Sequence, residues 1–295
     1  MVDRVVSVPT VVAAGATILG GSIEVHPGGK GANQAAAAAL AGAPVRFAGR
    51  TGRDGAFVLE ALRALGVGVD ACRIDDGASG SAFVQVAADG ENAIVVVPAA
   101  NARFDRDDLA RAMREVRRGD LVLLQHETAM LAEVVEAGLE HGARLWLNAA
   151  PADPSLWSLP LGRLEALVVN ETEAAVLSGG LLDPHAAMEH LTARLPEVLV
   201  VVTLGRDGAI AAQGSLRWRQ PSFEVEAIDT VGCGDAFVGG LAAATLRGAD
   251  VAEALREACA AGALAATGRG AIPSMPSRSR IASLMEVGTL IRSRR

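Results

Sequence analysis

Leu167-Val168-Val169-Asn170-Glu171-Thr172-Glu173-Ala174-Ala175-Val176-Leu177 opens on consecutive apolar residues and then changes to a helical pattern. Strand side chains alternate between faces, so a run that is apolar at every position is buried on both. The polar and acidic residues after it read as a helix start. The same pairing recurs along the chain. Apolar runs at Val45-Arg46-Phe47, Leu121-Val122-Leu123-Leu124, Leu145-Trp146-Leu147 and 198–202 alternate with helical stretches at 32–40, 57–65, 107–116, 131–140, 171–177, 184–195, 235–246 and 251–267. Such alternation predicts an α/β fold, a mostly parallel sheet covered by helices on both faces.

Two regions break that rhythm. Val5-Val6-Ser7-Val8, Val11-Val12 and residues 18–25 are β-branched and broken by Pro and Gly. Ala82-Phe83-Val84-Gln85-Val86 and Ala93-Ile94-Val95-Val96-Val97 flank Asp89-Gly90, a strong hairpin signal. These segments, approximately 4–27 and 80–98, are expected to form a small sheet apart from the main one. No repeat or low-complexity linker divides the chain, so residues 1–295 read as one domain. The Ala tract 35–39 predicts a tightly packed helix.

The 295 residues are 51% hydrophobic and 21% charged, which excludes a disordered or fibrous chain. The net charge of −7, with no basic stripe, argues against nucleic acid as the main partner. No apolar run reaches the roughly 18–20 residues of a membrane span. The start, Met1-Val2-Asp3-Arg4, has no secretory apolar core. Cys72, Cys233 and Cys259 are far apart in sequence and show no zinc spacing, so free thiols in a cytoplasmic protein are expected.

In open α/β sheets ligands bind beyond the carboxyl ends of the strands. Pro27-Gly28-Gly29-Lys30-Gly31-Ala32-Asn33-Gln34 combines close-approach glycines with polar reach at a helix start. Its spacing is not that of a P-loop. Ile228-Asp229-Thr230-Val231-Gly232-Cys233-Gly234-Asp235-Ala236-Phe237 places successive N–H groups and a carboxylate at another helix start. That pairing suits phosphoryl transfer, which needs a base and a nest for developing charge. Asp235 also reads as an ordinary N-terminal helix acid. Asn170-Glu171-Thr172-Glu173 can hold hydrated Mg²⁺ and equally suits a plain helix start. Thr203-Leu204-Gly205-Arg206-Asp207-Gly208 is a Gly-bounded turn. Thr267-Gly268-Arg269-Gly270-Ala271-Ile272-Pro273-Ser274 reads either as a helix C-cap or as carbonyls lining a cation site.

Taken together and in this order, these motifs resemble those of the ribokinase/PfkB family of carbohydrate kinases, over essentially the whole chain. The resemblance implies a three-layer α/β/α sandwich with a β lid over the sugar, and a homodimer through the lids. It implies ATP-dependent phosphorylation of a sugar's primary hydroxyl, with D-ribose the expected substrate. Asp235 would be the catalytic base, and the amides of Gly232, Cys233 and Gly234 the anion hole. Asp3, Gly29, Lys30, Gly31, Ala32, Asn33 and Glu127 would bind sugar. Asn170 and Glu173 would organise Mg²⁺ and phosphate. Residues Thr203, Leu204, Gly205, Arg206, Asp207 and Gly208, with Gly234 and Cys259, would meet ATP. Asp229, Val231, Ala265, Gly268, Gly270 and Ser274 would hold a monovalent cation, K⁺.

Glu127 favours a neutral polyol over a phosphorylated sugar, because a carboxylate repels a phosphate. Fructokinase and nucleoside kinase remain open, as does a binding protein without catalysis. The sequence departs from the family pattern in places. Cys233 stands where a small Ala or Gly is usual, and its nest of N–H groups is expected to lower its thiol pKa. Cys259 falls where some members place a His near adenine. The family's first strand, which ends in an Asn two residues before Asp3, has no counterpart. Two expectations follow: a coding sequence that begins about a dozen residues upstream, enough for an ordinary strand, or a genuine shorter chain in which another segment or subunit fills the gap.

Overall fold

The computed structural model describes residues 1–87, 89 and 91–292, with side chains through Val287. The strands are β1 (Val2–Val8), β2 (Ile23–Pro27), β3 (Arg50–Gly52), β4 (Arg73–Asp75), β5 (Ser81–Ala87), β6 (Asn92–Val97), β7 (Leu121–Gln125), β8 (Arg144–Asn148), β9 (Ala166–Asn170), β10 (Leu199–Thr203), β11 (Ala209–Gln213) and β12 (Leu216–Gln220). The helices are α1 (Lys30–Leu40), α2 (Ala56–Ala64), α3 (Arg106–Met113), α4 (Leu131–Glu140), α5 (Glu171–Leu177), α6 (Pro184–Arg194), α7 (Cys233–Leu246), α8 (Val251–Ala265) and α9 (Arg278–Arg292).

The central sheet runs β12-β11-β10-β9-β8-β7. Strands β7 to β10 are parallel, and β11 and β12 add an antiparallel edge. Alternation along each strand feeds two helical layers. On β8, Leu145 and Leu147 join Leu167, Val169, Val200 and Val202 against α4, α5 and α6. Trp146 faces the opposite way, with Val168 and Val201, against α7 and α8. The interior positions of these strands are apolar because both faces are covered.

The four-stranded lid has the order β2-β1-β5-β6. β1 pairs antiparallel with β2 and parallel with β5, and β5 pairs antiparallel with β6. One strand over 2–8 replaces the broken pieces expected there, and Val11-Val12 lies in a loop held by a bond from the Val12 N–H to Gln85 Oε1 at 3.0 Å. Gly90 of the expected hairpin turn lies outside the described residues. Val45-Arg46-Phe47, expected as a buried strand, makes only a parallel bridge from Arg46 to Gly68. Between α6 and α7 the chain forms the β11–β12 hairpin, which the sequence pattern did not show.

The Ala tract of α1 packs on α7, as its composition implies. A Cβ built on Gly239 would stand 2.5 Å from Ala37 Cβ and 2.7 Å from the Ala38 nitrogen. The two helices therefore approach backbone to backbone, and both carry site residues at their starts. Overpacking of this kind costs roughly 1–3 kcal/mol. Gly239→Ala should lower stability by about that amount in denaturant unfolding. An unchanged unfolding midpoint would show that the helices can separate freely.

Candidate active site

The loop into α1, the start of α7 and the carboxyl ends of β7, β8 and β9 meet below the lid. Asp235, in the first turn of α7, is held at both oxygens. Asn33 Nδ2 donates to Oδ2 and Gln34 Nε2 to Oδ1, each at 2.9 Å. Gln34 is 1% exposed and is fixed in turn. Its Nε2 also donates to Asn148 Oδ1 at 2.8 Å, and its Oε1 accepts from Gln125 Nε2 at 2.6 Å. Asn148 Nδ2 donates to the Val168 carbonyl at 3.1 Å. The carboxylate is thus tied through one amide side chain to the ends of β7 and β8. Sequence reading noted Gln34 only as polar reach at a helix start and assigned no role to Gln125 or Asn148. The available signal was polar residues at the last positions of two apolar strands.

Asn33 is buried, and its Oδ1 has no partner. Its amide group spends its donor on Asp235, so this acceptor is left for a ligand hydroxyl. Asp3, on β1, reaches the site from the lid. A Cβ on Gly28 would fall 2.0 Å from Asp3 Oδ2, so only glycine admits that carboxylate. Gly29 has φ of 89° and turns the chain into α1. Gly31 faces Gln125 and Phe47. Ala32 points its methyl into the core cluster with Val2 and Ala36, so only its backbone belongs to the site.

Lys30 is the cation shared by four carboxylates. Burial pushes the Asp235 carboxyl above its ordinary value, while Lys30 and the bonds from Asn33 and Gln34 oppose that shift. Burial raises Asp3, opposed first by the N-terminal amine. Burial raises Glu127, opposed first by Lys30. Burial raises Glu173, opposed by the Asn170 N–H and then by Lys30. The mutual influence of these groups places Asp3, Glu127, Glu173 and Asp235 around one space.

α7 begins at Gly232, with φ of 78° and no side-chain cap. A Cβ on Gly232 would lie 2.9 Å from the Ala271 Cα, so the α7 start rests on the 268–274 loop. Gly234 opens onto free space. The Cys233 amide donates to the Thr230 carbonyl at 3.3 Å, which leaves it less free than its neighbours. The expectation of an activated Cys233 is not met. Burial, with Asp229 and Asp235 beside it, pushes the thiol up to about 11. Loss of hydration and two nearby carboxylates outweigh the helix start.

Asp229 joins the two loops of the expected cation site. Its Oδ1 accepts from the Val231 N–H at 3.0 Å and its Oδ2 from the Gly270 N–H at 2.8 Å. The Ala265 carbonyl accepts from Gly268 at 3.2 Å, and Ser274 Oγ donates to the Ala271 carbonyl at 2.9 Å. Asn170 and Glu173 form a reciprocal cap on α5, at 2.8 Å in each direction. Among the described residues no group of three or more His, Cys, Asp or Glu could hold a metal ion. Thr203 ends β10, Leu204 is buried, and Gly205, Arg206 and Asp207 form an exposed turn closed at Gly208. Cys259 is 4% exposed in the core beneath β12, its thiol directed at the Gln220 carbonyl and pushed by burial up to about 12. It offers adenine no exposed thiol surface.

Comparison with known proteins shows the family. Residues 1–278 match the family described as pfkB family carbohydrate kinase. A ribokinase of Bacillus subtilis is 37% identical over 277 residues, covering 92% of each chain. A deoxyribokinase of Salmonella typhi is 30% identical over 289 residues, 94% of this chain and 93% of that one. Arabidopsis thaliana ribokinase complexed with ribose and ATP superposes with a TM-score of 0.83 at 30% identity, covering 97% of this chain and 96% of the other. The protein is a carbohydrate kinase. It belongs to the pfkB family.

The Lys30 charge favours the ionised form of Asp235, so removing it raises that carboxyl further. For a carboxylate that acts as a base, activity falls as pH drops through its pKa. The acid limb of kcat should lie above the ordinary carboxylate value of about 4, and Lys30→Gln should move it to higher pH. A limb that stays in place in the variant would separate Lys30 from Asp235.

Proposed function

We propose that the chain transfers the γ-phosphoryl group of ATP to the primary hydroxyl of D-ribose, giving D-ribose 5-phosphate and ADP. The observation that carries this reading is Asp235, gripped at both oxygens beside an uncapped helix start. Asp235 takes the hydroxyl proton as the oxygen attacks phosphorus. Asn33 and Gln34 keep the carboxylate in place, and the amides at the start of α7 face the charge that develops on the phosphoryl oxygens. The unpartnered Asn33 Oδ1, with Asp3 and Glu127, suits a neutral sugar rich in hydroxyls. The relatives that are ribokinases, one of them complexed with ribose and ATP, support the same substrates. The deoxyribokinase relative supports 2-deoxyribose as the second reading.

The residues present fit the two ions. Glu173 and Asn170 offer hard oxygen donors next to Asp235, the sparse protein set that Mg²⁺ takes when phosphates complete its shell. Bound there, Mg²⁺ would neutralise phosphate charge. Asp229 and the loop 268–274 would hold K⁺ against the back of the α7 start. A homodimer through the lid fits the exposed Ile23, Val25, Phe83, Val95 and Val97, which strand alternation puts on the lid face opposite Asp3. Among the described residues no helix is long and apolar enough to cross a membrane. The three cysteines are unpaired, in keeping with a reducing cytoplasm.

ADP release with Mg-ATP should give its highest kcat/KM with D-ribose, among ribose, 2-deoxyribose, fructose and adenosine. Replacing K⁺ with Na⁺ should lower the rate. A higher kcat/KM for another acceptor would overturn the substrate, and no turnover with any would overturn the reaction.

A further inference from the structure

The edge strand of the lid, β2, carries a histidine on the side that looks into the site. Side chains alternate along a strand, so positions 24, 26 and 28 share one side and positions 23, 25 and 27 the other. Ile23 and Val25 are exposed on the outer face. On the inner side, a Cβ on Gly28 would fall 2.0 Å from Asp3 Oδ2, so the side chains of Glu24 and His26 leave the backbone on the side that the Asp3 carboxylate occupies. Burial deepens along that side toward the site. Glu24 is exposed and His26 is half-buried.

The register brings His26 to Asp3. The two are direct cross-strand partners, and such pairs stand about 5 Å apart at Cβ. The Asp3 carboxyl responds to that neighbour. Burial raises it and Asp235 adds to the shift, while the N-terminal amine, His26 and Lys30 oppose it in that order. His26 thus acts on Asp3 ahead of Lys30, although the motifs assigned it no role.

Glu24 fixes what the ring can offer. Its Oε2 lies 2.9 Å from His26 Nε2. A carboxylate only accepts, so the pair assigns the proton to Nε2. Nδ1 of the neutral ring is then an acceptor, and among the described residues it has no partner. The Asp3 carboxylate and the unpartnered Asn33 Oδ1 are acceptors too. A space walled by acceptors suits a ligand made of O–H donors. Acceptors on adjacent strands suit two neighbouring hydroxyls rather than one, because each hydroxyl has a single proton to give.

We propose that His26, oriented by Glu24, is a further sugar-binding residue of the lid, its Nδ1 accepting from a ring hydroxyl next to the one that Asp3 takes. The inference rests on ribose as the substrate and on Asp3 as a sugar ligand, and it makes a pair of neighbouring hydroxyls the feature that the lid reads. His26 is only half-buried, so water can replace a missing hydroxyl there. The discrimination is therefore that of one ordinary hydrogen bond, about tenfold, and not the roughly 10⁴-fold of a sealed polar pocket.

The test uses the full chain, His26→Phe and His26→Asn. Phe keeps a ring and removes both nitrogens, whereas Asn sets an oxygen near the place of Nδ1. Titration calorimetry and steady-state kinetics with Mg-ATP compare ribose with 1-deoxy-, 2-deoxy- and 3-deoxyribose. His26→Phe should weaken ribose binding and raise KM by about tenfold, with kcat changed by less than about twofold, and His26→Asn should recover most of that loss. One of the deoxy sugars, the one lacking the hydroxyl that His26 takes, should bind the unmodified chain and His26→Phe equally well. An equal loss with all four sugars would overturn the proposal, because it would mark a general distortion of the lid. So would ribose affinity unchanged in His26→Phe, or a loss confined to kcat. Ribose bound but not phosphorylated by the unmodified chain would overturn the reaction proposed above, and the calorimetric comparison would still decide the role of His26.

Discussion

A single buried amide decides how the Asp235 carboxylate sits. Gln34 keeps one orientation because the ionised Asp235 carboxylate only accepts, which turns the Gln34 nitrogen toward Asp235 and Asn148 and its oxygen toward Gln125. A buried polar atom left without a partner costs roughly 1–3 kcal/mol, so the four side chains stand or fall together. The consequence is mechanical. Two strand ends of the central sheet set the position of a side chain on α1, which sets Asp235 on α7. The close contact of α1 and α7 at Gly239 is what brings Gln34 within reach.

Electrostatics follow from the same convergence. Asp3, Glu127, Glu173 and Asp235 face one space with Lys30 as the near cation. Burial disfavours the charged form of each, and Lys30 and the amide donors offset part of that penalty. A carboxylate kept ionised but poorly hydrated is a stronger base than one in water. The start of α7 has no side-chain cap beside it, so N–H groups there other than that of Cys233 are free to meet an anion. The arrangement also explains why Cys233 is not activated. The anionic neighbours that serve the site raise the thiol's pKa.

Much of the fold was legible because its strands are buried on both faces. Continuous apolar runs marked β7 to β10, and Gly-rich segments after strands marked both helix starts. β11 escaped because Ala-Ile-Ala-Ala-Gln has weak strand propensity and is defined by tertiary packing, with Ala209 and Ala211 on one layer and Ile210 and Ala212 on the other. Val45-Arg46-Phe47 reads as a strand yet bridges only once, because its second edge opens on a cavity beside β7. At the site, charged and glycine residues were visible in local motifs. Gln34 acts over 91 residues of separation to Gln125 and 201 to Asp235, and no local pattern records that meeting.

The central claim is that Asp235 is the base and that the surrounding amides hold it. Asp235→Asn keeps the shape of the side chain and removes its basicity. Single-turnover phosphorylation of D-ribose by this variant, measured beside ribose affinity, tests the claim most directly. The account predicts a fall of roughly 10²–10⁴-fold in the chemical step with ribose binding retained. A step as fast as in the unmodified enzyme would contradict it.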